Sequence, residues 1–227
     1  MRIGTWNLAG RWDARHMELV LSLDCDVLLL TEVSTRVALP EYRLHGTVGM
    51  MAHGRHWAAV ASRTGLRALP DPHGASAMAE VEGMRVCASI LPWRSCGRSE
   101  PWVGTSTGEK TVNAVADIEK SRPEVWGGDW NHSLSGTEYT GSGSGAERIR
   151  TAAERLGLAI PTVGLPHRRA ELTSIDHVAL PTWWEVASAQ RVSGVLGGVV
   201  LSDHDAYVVT GGLPATKLTA SAGLSAK

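Results

Sequence analysis

The sequence has no phenylalanine and only three tyrosines in 227 residues, so aromatic packing falls to nine tryptophans. Each buried indole N–H then needs a partner. Cysteine is also scarce: Cys25, Cys87 and Cys96 are odd in number and widely spaced. That excludes a disulfide framework and a zinc pattern, and predicts free buried thiols in a reducing compartment. Neither charge sign is in excess, with 22 Lys plus Arg against 23 Asp plus Glu. A protein held to nucleic acid by a general surplus of positive charge is thereby excluded, and any basic surface must be local. No apolar run approaches membrane-spanning length, and the opening residues show no basic segment leading into an apolar stretch. The expectation is a soluble, cytoplasmic monomer with no secretory signal, no membrane partner and no protein partner.

What is present is enough apolar sequence, 43%, for one sizeable core. Short apolar and β-branched runs predict strands over 2–7, 26–31, 56–62, 84–91, 124–127, 174–180, 183–192 and 206–210. Apolar residues at helical spacing predict three helices, carried by Met17, Val20 and Leu21, by Val112, Val115 and Ala116, and by Ile149, Ala152, Ala153 and Leu156. Gly and Ser crowd 135–145, which reads as a flexible loop. Residues 1–212 form one predicted domain, and 213–227 a flexible tail.

Four strands end in polar clusters: Thr5-Trp6-Asn7, Leu30-Thr31-Glu32, Gly127-Gly128-Asp129-Trp130-Asn131 and Ser202-Asp203-His204. A fifth strand contains Ser174-Ile175-Asp176-His177. Core strands gain nothing from carboxylates at their tips unless these are solvated or used. Amides, carboxylates and an imidazole in this pattern suit hydrolysis of a phosphate ester, which needs oxygen ligands for a hard cation, a base for water and donors for phosphoryl oxygens. No Gly-x-Ser-x-Gly elbow points to acyl transfer, and no His-Glu-x-x-His pattern to zinc. Taken singly, Glu32 reads as a surface salt-bridge partner, Asn7 and Asp203 as turn residues, and His204 as a loop histidine. His177, next to Asp176 on an alternating strand, should face away from any site. The tryptophans read as core and rim packing, and Arg94 with Arg98 as a solvated basic patch.

The ordered set Asn7, Glu32, Asp129 with Asn131, Asp176, and Asp203 with His204 resembles the endonuclease/exonuclease/phosphatase superfamily nearly end to end. The resemblance implies a DNase I-like, four-layered α/β/β/α sandwich of two mixed sheets, with the site at one end. It implies a cation held by Glu32, Asn7 and Asp203, with Mg²⁺ favoured and Mn²⁺ as a substitute. It further implies that Asp129 orients or deprotonates water, Asn131 donates to the phosphate, and His204 contacts the phosphate or shares the base role, fixed by Asp176. Two positions depart from the family pattern. Leu8-Ala9 stands where some relatives carry a second carboxylate, and the middle strand ends Leu91-Pro92-Trp93-Arg94 without the usual His, Tyr or Asn, so that Arg94 becomes the candidate substrate contact. Ser174 also replaces an arginine, although Arg168 and Arg169 precede it. The reading is a metal-dependent phosphoesterase, foremost a nuclease on DNA or RNA. A phosphatase or phosphodiesterase for small molecules or lipid headgroups comes second, and a non-catalytic binding protein third.

Overall fold

The computed structural model describes residues 1–97 and 99–214, so Arg98 and the tail from 215 onward lie outside the described residues. In chain order the elements are β1 (Arg2–Asn7), α1 (Ala14–Ser22), β2 (Val27–Ser34), β3 (Arg43–Gly46), β4 (Met50–Met51), β5 (Arg55–Ser62), β6 (Leu66–His73), β7 (Ser76–Val81) and β8 (Met84–Ile90). They continue with α2 (Thr107–Lys120), β9 (Val125–Asp129), α3 (Gly143–Arg155), β10 (Leu158–Ala159), β11 (Asp176–Pro181), β12 (Glu185–Val192), β13 (Val195–Leu196), β14 (Val199–Val200) and β15 (Ala206–Gly212).

Two mixed sheets form. One runs β12-β15-β1-β2-β5-β3, with β4 also on β5, and the other β10-β11-β9-β8-β7-β6. Among the described residues, only β1–β2 and β8–β9 pair in parallel. The sheets bury their inner faces on each other: Ile3, Leu29, Val60 and Val209 meet Ala79, Val86, Ala88 and Val178. On the outer face of the first sheet, Leu19, Val20 and Leu23 of the α1 region cover Leu28 and Leu30. On the outer face of the second, Val115 and Ile118 of α2 and Ile149 and Ala152 of α3 cover Cys87 and Trp126. The result is the four-layered α/β/β/α sandwich that the resemblance implies. It explains the unbroken Val27-Leu28-Leu29-Leu30 run, since a strand covered on both faces has no polar side.

Several boundaries differ from the sequence reading. The edge strand β6 was missed because Pro70 and Pro72 interrupt it, and proline is tolerated only where no ladder bond is needed. The strand expected at 124–127 runs on to Asp129, whereas that expected at 174–180 begins at Asp176, which puts Asp176 at a strand end rather than inside one. Trp183 belongs to a turn in which Trp184 N–H donates to Pro181 O at 3.0 Å, so β12 starts at Glu185. The 135–145 loop ends early: Ser142 caps α3, its Oγ accepting from Gly145 N at 3.0 Å. The face of α2 is rotated, with Val112 exposed and Thr111, Ala114, Val115 and Ile118 buried. All three cysteines are free and buried. Among the described residues, no helix is long and apolar enough to cross a membrane.

Candidate active site

The sheet registers bring the polar strand ends together. In the parallel pair β1–β2, Asn7 lies opposite Thr31, which puts Asn7 and Glu32 at one end of the first sheet. In the second sheet, Asp129 at the end of β9 pairs with Asp176 at the start of antiparallel β11. The Asn7 amide spans the two sheets: Nδ2 donates to Asp129 Oδ2 at 2.9 Å and faces Glu32 Oε1 at 3.3 Å, while Oδ1 accepts from Ala9 N at 2.8 Å. His204 enters from the loop before β15. Its Nδ1 lies 2.8 Å from Asp176 Oδ2 and its Nε2 3.9 Å from Asp129 Oδ2.

That loop is held by Asn7, Trp6 and Arg168 and by one bond of its own. Ser202 Oγ donates to Asn7 O at 2.6 Å and accepts from His204 N at 3.1 Å. Trp6 Nε1 donates to His204 O at 3.1 Å, and an Arg168 Nη1 donates to Ser202 O at 2.8 Å. Glu32 and Asn131 have positive φ, 49° and 53°, backbone values that non-glycine residues keep only where the surroundings enforce them. Asn131 N–H donates to Asp129 Oδ1 at 3.0 Å and its Nδ2 to Leu91 O at 3.1 Å, which leaves one amide hydrogen uncommitted.

Burial pushes the Asp129 carboxyl up, against the opposing pull of His204, with Asp176 adding to the rise. Burial works against a charged His204, yet the nearby Asp176 and Asp129 charges and the Asp176 hydrogen bond outweigh it, so its pKa lies above the ordinary imidazole value. These charges favour the protonated ring, whose Nε2–H then faces the space beside Asp129.

The structure brings Asn7, Glu32, Asp129, Asn131, Asp176 and His204 into one contact network. Asp203 stands apart: it is exposed and lines a cleft of about 540 Å³ with His204, Tyr139, His167, Arg168 and Arg169. Arg94 is exposed and does not line that cleft. Its backbone N–H donates to Thr140 O at the cleft wall. Arg168 and Arg169 line it and form no ion pair among the described residues. Sequence reasoning also missed Arg55, whose Nη1 donates to Glu32 Oε2 at 2.8 Å. Arg55 opens a strand 23 residues from Glu32, and only the β2–β5 pairing reveals the contact.

Two groupings offer cation ligands. Asp129, Asp176 and His204 present atoms within 4.8 Å of one another, but a protonated imidazole already bonded to Asp176 is a poor ligand. Glu32 and Asp129 offer carboxylate oxygens without that conflict, and the Asn7 amide, which turns Nδ2 toward both and commits Oδ1 to Ala9 N, adds an oxygen ligand only once it turns over. The buried Asp176 Oδ1, on the His204 side, has no hydrogen-bond partner. The donor set fits a hard divalent cation at the Glu32–Asn7 end.

His177 points away, as expected. It is wholly buried, with Nδ1 3.2 Å from Thr162 Oγ1 and Nε2 3.1 Å from His132 O. Burial lowers its pKa from 6.5 to about 4. Above pH 6.5 the ring is neutral folded or unfolded and contributes nothing to pH dependence. As pH falls below 6.5 the unfolded chain takes up the proton first, and by pH 4 the accumulated cost is about 3 kcal/mol. Urea unfolding at pH 7.5, 6, 5 and 4 should show the parent losing more stability across this window than His177→Gln. Parallel losses would remove His177 as the cause.

No protein-family model matches the chain, and no curated protein matches it in sequence. Solved structures do. Over 92% of its length the chain is similar to an AP endonuclease from Archaeoglobus fulgidus, at 16% identity, 98% coverage of that chain and a TM-score of 0.66. A 3'-5' exonuclease from Neisseria meningitidis matches 92% of this chain and 99% of its own, at 17% identity and a TM-score of 0.61. A 3' phosphatase from Neisseria, bound to product DNA hairpin, matches 92% and 98%, at 17% identity and a TM-score of 0.63. What is shared at these identities is the fold, the DNase I-like sandwich of endonuclease/exonuclease/phosphatase proteins.

Proposed function

We propose that this chain is a divalent-cation-dependent phosphoesterase that hydrolyses phosphodiester bonds with water, and that its substrate is DNA or RNA. The observation that carries the reading is the Asp176–His204–Asp129 array, in which one imidazole ring is fixed by a buried carboxylate and aimed beside a second. Asp129, held by Asn7 and by the Asn131 backbone, accepts a proton from the attacking water. His204 donates from Nε2 to a phosphoryl oxygen, Asp176 keeps the ring oriented, and the free Asn131 amide hydrogen serves another phosphoryl oxygen. A Mg²⁺ ion held by Glu32, and by Asn7 Oδ1 once that amide turns over, with Mn²⁺ as a substitute, would supply Lewis-acid stabilisation of negative charge on the phosphoryl and leaving oxygens. Asp203, on the cleft rim, is left with a weaker claim to that ion than these two.

A nucleic-acid substrate is supported by the open cleft beside His204, where Arg168 and Arg169 supply the local positive charge that the overall balance lacks. The Neisseria phosphatase bound to a DNA hairpin shares this fold. The same two arginines also suit the non-scissile phosphate of a small ester, which makes a small-molecule phosphoesterase the second reading. Glu32→Gln is expected to raise the Mg²⁺ concentration for half-maximal rate about tenfold or more, because a neutral amide replaces the anionic ligand. A Mg²⁺ titration of initial rate checks this, and an unchanged midpoint would take Glu32 out of the cation site.

A further inference from the structure

We propose that Arg55 is a built-in counter-cation to Glu32 that sets how tightly the site takes a divalent cation, an inference that rests on the cation-dependent reading above. Arg55 lies opposite Ser34 in the antiparallel β2–β5 pair, two residues beyond Glu32 along β2. Its Nη1 donates to Glu32 Oε2 at 2.8 Å, and its Nε donates to Ala52 O at 3.0 Å. Both side chains are largely sheltered, at 21% and 28% exposure, so solvent screens the pair less than an open surface pair.

The path of the arginine is prepared by Gly10. A Cβ there would sit 2.3 Å from Arg55 Cδ and 2.8 Å from Nη1, and Gly10 itself has φ +69°. Gly10 N–H also donates to Glu32 O at 2.9 Å, so the loop that makes room for the arginine is tied to the residue the arginine pairs with. The same loop has Leu8 and Ala9 directly after Asn7, and its one carboxylate, Asp13, is taken up as the N-cap of α1, accepting from Arg15 N and His16 N.

Two features thus lower the negative charge at the Glu32 end: no carboxylate at position 8 or 9, directly after Asn7, and a guanidinium paired to Oε2. A divalent cation must either displace Arg55 from Oε2 or share the carboxylate with it, and both weaken binding. A cleft of about 510 Å³, lined by Ser34, Thr35, Arg36 and Arg55, gives the guanidinium room to leave.

The test is direct cation binding to the full chain after EDTA dialysis, measured by calorimetric titration with Mn²⁺ and by the Mg²⁺ dependence of the thermal midpoint. Arg55→Met is expected to bind about tenfold more tightly than the parent. Arg55→Lys should fall between them, since an ammonium lacks the planar fork, and Glu32→Gln should weaken binding about tenfold or more in either background. If Arg55→Met binds equally or more weakly while parent binding still depends on Glu32, Arg55 merely orients the carboxylate, and the counter-cation role is overturned while the cation site stands. Absence of Glu32-dependent binding in both parent and Arg55→Met would overturn the role and the cation site together.

Discussion

Asp129→Asn is expected to lower turnover by roughly 10² to 10⁴, the range assigned to a positioned general base, while leaving the chain folded. The two side chains are nearly the same shape, and the Asn131 N–H bond to Oδ1 survives the change. The bond from Asn7 Nδ2 to Oδ2 does not survive unless an amide turns over. Removing a desolvated carboxylate offsets part of that loss, so the net stability change should stay near about 1 kcal/mol. Initial rates of parent and variant at saturating Mg²⁺, with circular dichroism melts alongside, decide the matter. A folded Asp129→Asn protein that turns over at the parent rate would leave the water without its base.

Gly128→Ala should be the most damaging conservative change in the scaffold. Gly128 has φ +130°, and a Cβ there would lie 2.1 Å from Ser89 O and 2.9 Å from Ser89 N and C. Those atoms belong to the backbone of β8, paired in parallel with β9 at this residue, so no side chain can swing aside. Relief requires parting the two central strands of the second sheet, one residue before Asp129. A loss above about 3 kcal/mol is expected, combining strained backbone with a broken ladder. Gly83→Ala is the control: its φ is +82° but nothing lies within 4 Å of its Cβ, so it should cost only about 1 kcal/mol. Urea unfolding of the two variants separates them, and equal losses would mean that backbone angle alone, and not the contact with Ser89, sets the penalty.

Much of this site is legible in the chain because a strand end carries its own signature. Apolar runs that stop at Asn7, Glu32 and Asp129 place those side chains where two strands of one sheet or two facing sheets open to solvent, and Asp176 and His204 follow the same rule. Local patterns also mark the helices, although α2 rotates its buried face away from Val112 because packing against Ile149 and Trp126, which no local pattern encodes, chooses Thr111 and Ala114. Contacts made across sequence distance are illegible for the same reason. Arg55 reads as one more arginine at a strand start until β5 pairs with β2, and Arg168 and Arg169 read as loop residues until the cleft beside His204 closes around them. The proline-interrupted β6 hides because an edge strand needs only half of its ladder. The missing phenylalanine also has structural consequences. Trp126 Nε1 finds Ser89 Oγ at 3.1 Å and Trp6 Nε1 finds His204 O, so indoles that fill the core also tether the site loop.

The most direct test is hydrolysis of supercoiled plasmid, single-stranded DNA, RNA and a bis-aryl phosphate, each with Mg²⁺, Mn²⁺ or EDTA, with Asp129→Asn protein as the contamination control. The expected result is cleavage of at least one nucleic acid that stops with EDTA and with the variant. Cleavage of the small ester alone, lost in both controls, would move the substrate to a small molecule. Hydrolysis that persists in EDTA, or that Asp129→Asn retains in full, would contradict a cation-dependent site built around Asp129.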